Sequence, residues 1–245
     1  QPALKALIDR TAFAMSMEET RFILNGALMT ASRQTLQMVA TDGRRLAMAS
    51  AKTEGGQADV AVVVPSKTIR ELGRLLQDDE EPVTIAPLKD NQVLFRFSAE
   101  GGSASGGGAT ITVITRLIEG QFPSYDSVIP APSSSVLTCS RALLMSAIRR
   151  ASLMTTAISQ AVVFEVSKDA LIVSKESAEL GSAREELGAV YTGEPMTIAF
   201  NPEFWLDALK VLEDESLSIE LTSPDKPAVI RQPEFLYLAL PMKLA

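Results

Sequence analysis

The sequence predicts an α+β protein that consists of two similar halves in tandem. Three observations support this prediction: apolar residues at helical spacing near the start of each half, short strand-like runs after them, and a second helix that follows a strand in both halves. Helices packed on antiparallel strands bury the apolar faces of such elements. We therefore expect one domain over residues 1–129 and a second over residues 130–245.

Apolar spacing and helix-start residues predict four helices. The first helix of each half is indicated by Leu4, Leu7, Ile8, Ala12 and Met15, and by Leu143, Leu144, Ala147, Ile148 and Ala151. The second helices are predicted over Lys67–Gln77 and Pro202–Leu212. They follow Pro65-Ser66 and Asn201, which are residue types that commonly begin helices.

Strands are predicted in both halves, and a proline- and serine-rich stretch over residues 130–135 separates the halves. The strand-like runs are Phe22–Thr30, Thr35–Ala40, Leu46–Ser50, Ala61–Val64, Val93–Phe97 and Ile111–Thr115 in the first half, and Ala161–Val166, Ala170–Val173 and Met196–Phe200 in the second. Gly101–Gly108 is predicted to be a mobile hairpin loop. It is not a phosphate-binding loop, because no Lys-Ser/Thr pair follows it and no helix begins there.

The composition narrows the class of function. The 245 residues include no histidine and a single cysteine, Cys139. The absence of histidine removes Ser-His-Asp and Cys-His catalysis, and no motif indicates a cofactor or a metal, so we expect a protein that is not an enzyme. A lone cysteine excludes an internal disulfide and favours a reducing cytoplasm. Neither a membrane-spanning apolar run nor a secretory signal is recognisable.

The charge pattern leaves DNA binding open. A net charge of −7 argues against a uniformly basic nucleic-acid binder. The predicted helices nevertheless concentrate basic residues, namely Lys5, Arg10, Lys67, Arg70, Arg74, Arg141, Arg149 and Arg150. Such stripes can neutralise duplex phosphates without reading the base sequence. The alternative interpretation is an ordinary solvated helix face.

Several short segments occur in an order that is typical of one family. The first is residues 21–26, which contains Asn25-Gly26, and the second is residues 40–47, which contains the Thr41-Asp42-Gly43 turn. The later segments are residues 64–67, 120–125, 128–130 and 240–244. In this order they resemble the second and third domains of the bacterial DNA polymerase III beta subunit, the beta sliding clamp. The resemblance spans essentially the whole sequence.

The resemblance implies two tandem copies of the DNA-clamp (processivity-fold) domain, each with two helices packed on antiparallel sheet. The family's first domain is absent, and the chain begins with Gln1 rather than Met, so we expect a fragment of a longer protein. A natural two-domain variant is the alternative.

The implied function is that of a cytoplasmic replication processivity factor whose full-length parent is a homodimeric ring around duplex DNA. Its implied partners are the polymerase III catalytic subunit, the clamp loader, and repair or translesion polymerases that carry short linear motifs. A second hypothesis is a truncated, non-encircling module that binds partner peptides without DNA. An enzyme on a duplicated α+β domain is the third.

The resemblance also implies two sets of site residues. Carried over by position, the family's interdomain peptide-binding groove falls on Leu24, Thr41, Gly43, Arg44, Leu46, Pro123, Ser127, Val128, Asn201, Phe204, Pro227, Leu238, Leu240, Pro241, Met242 and Lys243. Arg44 replaces a frequent His and Ser127 a frequent Arg, which leaves their peptide contacts open. Each of these residues could instead be only a core or strand-end residue.

The family's DNA contacts would fall on Glu18, Phe22, Ile23, Ser66 and Lys67, of which only Lys67 is basic. Neighbouring basic residues are therefore expected to contribute. The predicted DNA-binding set is Arg21, Phe22, Ile23, Lys67, Arg70, Arg74, Arg149 and Arg150.

Overall fold

A computed structural model describes residues 1–53, 59–99 and 109–243. It divides the chain into two compact units, Gln1–Ser124 (unit 1) and Tyr125–Ala245 (unit 2). In the described part of each unit, two α-helices accompany antiparallel strands. The predicted fold class, two tandem α+β domains, is confirmed; the domain boundary after residue 129 stays a prediction.

Unit 1 contains two helices and seven strands in its described residues. The helices are α1 (Pro2–Thr11) and α2 (Ser66–Leu75). One antiparallel sheet has the strand order β3-β2-β1-β4, formed by β1 (Gly26–Ala31), β2 (Thr35–Thr41), β3 (Arg45–Lys52) and β4 (Val60–Pro65). A separate three-stranded sheet contains β5 (Thr84–Leu88), β6 (Gln92–Ala99) and β7 (Ala109–Arg116).

Unit 2 contains two helices and eight strands in its described residues. The helices are α3 (Arg141–Ser152) and α4 (Pro202–Val211). The antiparallel strand order is β12-β9-β10-β11-β8-β13-β14-β15. These strands are β8 (Val136–Ser140), β9 (Val162–Val166), β10 (Ala170–Ser177), β11 (Gly181–Tyr191), β12 (Met196–Phe200), β13 (Ser216–Glu220), β14 (Ala228–Gln232) and β15 (Phe235–Ala239).

Each unit buries the apolar face of its helices. In unit 1, α1 lies beside α2, and Leu7 and Leu72 are among the buried residues of the two helices. In unit 2, α3 lies beside α4. There, Phe164, Phe200 and Trp205 form an aromatic cluster whose ring centroids are 5.2 to 5.6 Å apart. Burial of these aromatic rings supplies a large part of the apolar core of unit 2.

Three sequence expectations are wrong in detail. The strand predicted over Phe22–Thr30 begins only at Gly26, because Glu19–Leu24 forms a 3₁₀ helix that Asn25 caps. A short apolar run cannot be assigned to strand or helix by periodicity alone. Leu143, placed on the buried stripe of its helix, is 54% exposed. Helix α1 ends at Thr11, so Ala12 and Met15 lie beyond it.

Two further predictions concern a capping residue and a loop. Asn201 caps α4 as predicted, since its side-chain oxygen accepts a hydrogen bond from the backbone N–H of Glu203 at 2.9 Å. The predicted hairpin loop Gly101–Gly108 lies outside the described residues.

Candidate functional sites

The Thr41-Asp42-Gly43 turn between β2 and β3 is held by its own side chains. Asp42 Oδ1 accepts hydrogen bonds from the backbone N–H groups of Arg44 (2.9 Å) and Arg45 (3.0 Å). Thr41 Oγ1 accepts from the Gly43 N–H at 3.0 Å and donates to the Arg45 carbonyl at 2.6 Å. Gly43 has φ +86°, a conformation that favours glycine. The turn therefore presents Gly43 and Arg44, both exposed, in a fixed conformation.

Arg45 supports this turn from inside unit 1, and the sequence reasoning missed it. Its Nε lies 3.0 Å from Asp42 Oδ2, in an ion pair whose side chains are only 11% and 19% exposed. Its Nη2 donates to the Phe13 carbonyl at 2.7 Å, and its guanidinium carbon lies 5.5 Å from the centre of the Phe13 ring. The three-residue spacing from Asp42 is the signal that could have indicated the pair.

Arg21, predicted to contact DNA, also contacts the turn. Its Nη1 donates to the Asp42 carbonyl at 2.9 Å, and its Nε lies 3.4 Å from Glu18. A Cβ atom added at Gly43 would lie 2.6 Å from Arg21 Nη1. Glycine is thus favoured at position 43 by its φ angle, whereas Arg21 approaches it with the end of a flexible side chain that can move aside.

The predicted peptide-binding residues of unit 1 differ in accessibility. Gly43, Arg44 and Pro123 are exposed. Leu24 and Leu46, by contrast, are only 7% and 2% exposed. Both leucines are therefore buried within unit 1, and their part in peptide binding stays a prediction.

Unit 2 places several predicted peptide-binding residues near the end of β12. The Met242 N–H donates to the Ala199 carbonyl at 2.7 Å, which joins the tail to β12 in an antiparallel bridge. Asn201 and Phe204 follow β12 directly, at the start of α4. The Tyr237 hydroxyl donates to the Phe204 carbonyl at 2.7 Å. The tail residue Met242 is thereby held beside Ala199, near the end of β12.

The remaining predicted residues of unit 2 are mostly accessible. Val128 is 52% and Leu240 39% exposed. Leu238 is buried within β15. The other members are exposed or half-buried, namely Ser127, Pro227, Pro241 and Lys243.

The basic residues of α2 are exposed, and acidic or sulfur groups contact two of them. Arg74 Nη1 lies 3.6 Å from Glu71, and Arg70 Nη2 lies 2.7 Å from Met17 Sδ. For Lys67, no ion pair occurs with any residue in the described ranges. Helix α2 therefore presents three solvent-exposed cations, and of these Lys67 has the fewest side-chain contacts among the described residues.

Phe22 and Ile23, the apolar members of the predicted DNA set, lie on the 3₁₀ helix Glu19–Leu24. Phe22 is largely exposed and Ile23 half-buried. Their place ahead of β1 is therefore accessible from solvent, as a contact to a ligand requires.

In unit 2, carboxylates and carbonyls already contact most of the basic residues predicted on α3. Arg150 makes two hydrogen bonds with Glu185, at 2.6 and 2.9 Å. This contact raises the pKa of Arg150 and lowers the pKa of Glu185. Arg141 donates to the carbonyls of Asp214 and Leu209, each at 3.0 Å. Arg149 is exposed, without an ion pair to the described part of the chain. Arg150 is thus a weaker candidate for DNA contact than the sequence suggested.

The remaining candidate features are a metal site, a membrane-spanning helix and a reactive cysteine. Within residues 1–53, 59–99 and 109–243, no group of three or more Cys, Asp or Glu side chains is placed to hold a metal ion. No helix in that part of the chain is long and apolar enough to cross a membrane. Cys139 is buried, and burial raises the pKa of its thiol to about 11, so it is a poor nucleophile.

Two family models match the chain, one for each of its tandem α+β units. The family model described as the central domain of the DNA polymerase III beta subunit matches residues 1–124. The model of the C-terminal domain matches residues 126–243. The chain belongs to the DNA polymerase III beta subunit family.

Individual relatives agree with this assignment. The beta sliding clamp of Pseudomonas putida is 32% identical and aligns with 100% of this chain and 64% of its own length. That of Bacillus subtilis is 34% identical, over 98% of this chain and 62% of its own length. The chain therefore spans less than two thirds of these relatives.

Solved structures show the same similarity. The DNA polymerase sliding clamp from Bacillus subtilis superposes with a TM-score of 0.87 at 32% identity, covering 99% of this chain and 62% of that one. A sliding clamp from Pseudomonas aeruginosa bound to griselimycin gives 0.86 at 31% identity, covering 98% and 63%.

Proposed function

We propose that this chain is part of a DNA replication processivity factor, a sliding clamp that tethers DNA polymerase to duplex DNA without catalysing a reaction itself. The observation that carries the proposal is the ordered match of two beta-subunit domains across the chain. The proposed partners are the polymerase III catalytic subunit, the clamp loader, and repair or translesion polymerases. The proposed setting is the cytoplasm, and the proposed parent is a homodimeric ring of longer chains.

The proposed DNA contact is electrostatic and independent of base sequence. The exposed Lys67, Arg70 and Arg74 of α2 can approach phosphates, and helix-face cations of this kind do not read base edges. A net charge of −7 opposes tight binding by the chain alone. Retention on DNA would therefore come from encirclement by the parent ring rather than from affinity.

The proposed peptide contacts in unit 2 include Val128, Leu240 and Met242. All three offer apolar atoms, and the methionine thioether adapts to different side chains. Gly43 and Arg44, on the turn of unit 1, are the proposed peptide contacts of that unit. A partner peptide with leucine or phenylalanine anchors would bury apolar area on such residues.

Calorimetry with a peptide of the clamp-binding pattern, a Gln followed by leucines and a Leu-Phe end, tests the peptide site. Micromolar affinity is expected, around −8 kcal/mol, because a flexible peptide loses entropy on binding. Leu240→Ala and Met242→Ala should each weaken binding by about 1–2 kcal/mol. Leu180→Ala, an exposed leucine elsewhere in unit 2, is the matched control. No binding at about 1 mM peptide would refute the proposed site.

A charge-reversal experiment tests the DNA contact. Lys67, Arg70 and Arg74 are changed together to Glu, and titrated with linear duplex at about 20 mM and about 150 mM salt. Wild-type binding should appear only at low salt, because screening and counterion release weaken phosphate contacts. The triple variant should lose this binding to duplex DNA and should still bind the peptide.

A second triple reversal controls for net charge. In this variant Glu replaces Arg33, Lys52 and Lys89, which are exposed residues of unit 1 outside α2. The net charge changes by the same amount as in the α2 variant, and most of the DNA binding should be retained. Equal losses in both triple variants would contradict a specific role of α2. Salt-resistant or sequence-selective binding by wild type would contradict the clamp mechanism.

A non-encircling peptide-binding module is the second candidate function. The ion pairs of Lys5 with Asp78 (3.0 Å) and of Arg150 with Glu185 favour it, since they reduce the positive charge available to DNA. Analytical ultracentrifugation separates the two candidates. A closed dimer supports the ring, whereas a monomer that binds peptide supports the module.

A further inference from the structure

The opening residues of unit 2 form a linker segment that carries two of the proposed peptide contacts. The segment comprises residues 125–135, ahead of β8, and includes Ser127 and Val128, both exposed. Val128 ends a short 3₁₀ helix over Asp126–Val128, and its N–H donates to the Tyr125 carbonyl at 3.1 Å. The place of Val128 in a peptide site therefore depends on what holds this segment against the rest of unit 2.

An ion pair on the sheet of unit 2 bonds to the linker segment. Arg231, on β14, faces Glu220, on β13, with Nε 3.0 Å from Oε1 and Nη2 3.4 Å from Oε2. The same Nη2 donates to the Pro130 carbonyl at 3.1 Å. Glu220 Oε2 in turn accepts a hydrogen bond from the Ser133 N–H at 3.4 Å. The pair therefore contacts the linker segment at two points, residues 130 and 133.

The Arg231–Glu220 pair is shielded and geometrically fixed. Its side chains are only 29% and 14% exposed. A guanidinium presents its donors in a rigid planar fork, so Arg231 can bond Glu220 and the Pro130 carbonyl in one conformation. Salt screens a partly buried pair less than an exposed one. The pair is therefore a lasting support for the linker segment rather than a transient surface contact.

The strand register places this support on the same face of the sheet as Leu238, a member of the predicted peptide-binding set. Glu220 lies opposite Val229, and Val229 lies opposite Leu238. Arg231 is two residues from Val229 on β14, and residues two apart share a face of a strand. The Tyr237 hydroxyl bonds to α4, so the neighbouring Leu238 lies on the face away from that helix. The linker segment is thus held on the face that carries Leu238.

The end of the linker segment is held independently of the ion pair. The Thr192 hydroxyl donates to the Ser134 carbonyl at 2.6 Å, and the Leu221 N–H donates to the Ser135 carbonyl at 2.9 Å. Loss of the ion pair would therefore release the part of the segment that carries Val128 and leave the start of β8 in place.

We propose that the Arg231–Glu220 pair is a positioning element of the peptide site, which holds the linker segment so that Val128 meets a bound peptide. The inference rests on the proposed peptide-binding function and assigns residues that act through Val128 rather than by touching the ligand. Without the pair, the segment would have to be ordered when the peptide binds, and the cost of ordering lowers affinity.

Calorimetry with the clamp-binding peptide tests this role in Arg231→Met. This variant should bind about three- to tenfold more weakly than wild type, the scale of ordering one or two side chains. Arg141→Met is the matched control, because it removes the same charge and two bonds to backbone carbonyls, those of Asp214 and Leu209, outside the linker segment. Its affinity should stay within about twofold of wild type.

A double-mutant cycle with Val128→Ala separates positioning from a general structural effect. If Arg231 acts through Val128, Arg231→Met should weaken binding by less than about twofold in the Val128→Ala background. Hydrogen exchange gives a local readout, since amides of the linker segment should exchange faster in Arg231→Met than in wild type or Arg141→Met.

The outcomes distinguish this inference from the proposed function. Glu220→Gln, which removes the charge and keeps the shape, should weaken binding in the same direction, and it replaces Arg231→Met if that variant does not fold. Wild-type affinity in the folded variant would overturn the inference and leave the proposed function intact. Equal weakening with and without the Val128 side chain would also overturn it. Failure of wild type to bind the peptide would overturn both proposals.

Discussion

Replacement of Asp42 by Ala should destabilise unit 1 strongly, although the residue lies in a turn. The substitution removes the acceptor of two backbone N–H groups, those of Arg44 and Arg45, and the partner of the Arg45 guanidinium. Arg45 would keep its bond to the Phe13 carbonyl, but its charge would lose the neighbouring carboxylate.

The expected loss follows from these contacts. Each backbone hydrogen bond contributes about 1 kcal/mol. The ion pair is mostly buried, with side chains 11% and 19% exposed, so its loss lies between that of a surface pair and that of a buried one, at about 1–2 kcal/mol. The free energy of unfolding should therefore fall by about 3 kcal/mol. For a unit of this size the melting temperature should decrease by about 10 °C.

Differential scanning calorimetry measures this change, and two variants make it specific. Asp42→Asn keeps an acceptor for the backbone N–H groups but loses the charge, so about half of the loss is expected. Glu119→Ala, an exposed acidic residue of the same unit, should change the melting temperature by less than about 2 °C. If Asp42→Ala melted within about 2 °C of wild type, the assignment of the turn as a stabilising element would be refuted.

Four further substitutions test unit 2, and one in unit 1 serves as a control. Asn201→Ala should lower its unfolding free energy by about 1 kcal/mol in thermal melts, and Ser140→Ala by less, since the cap bond at Ser140 is longer at 3.4 Å. Phe164→Ala should lower the free energy of unfolding, measured with urea, by about 3–5 kcal/mol because it leaves a cavity in the aromatic cluster. Phe22→Ala, which removes an exposed ring, should change that free energy by less than about 0.5 kcal/mol. Stability should fall as pH rises from about 9 to about 11, because the unfolded chain releases the Cys139 proton before the folded chain does. The stability of the Cys139→Ala variant should decrease less steeply over this pH range. Parallel stability curves for wild type and variant would contradict the raised pKa of the thiol.

Local sequence signals predicted much of the fold. Helical spacing identified the four helices because their buried residues recur on one face, and Asn201 was recognised because its cap uses a neighbouring backbone N–H. The Thr41-Asp42-Gly43 turn was equally local, since its hydrogen bonds join residues two to four apart.

Features that depend on distant residues were not predictable in this way. The pairing of Arg150 with Glu185 joins residues 35 positions apart, so the helix pattern gave no sign that this cation is neutralised. The burial of Leu46 and of Lys175 likewise depends on elements that pack around them from elsewhere in the chain. The family resemblance suggested candidate site residues, but accessibility required the structure.

The contrast between Lys67 and Arg150 has a kinetic consequence. Glu185 holds the planar guanidinium of Arg150 in one place through two hydrogen bonds, whereas the ammonium of Lys67, without an ion pair in the described part of the chain, moves on a flexible stem. Successive phosphates of one strand are about 3.4 Å apart along the duplex axis, a step that a flexible lysine side chain can follow by changing rotamers. In the proposed DNA contact, such a cation would pass from one phosphate to the next over low barriers, which would favour one-dimensional travel along a duplex over residence at any position.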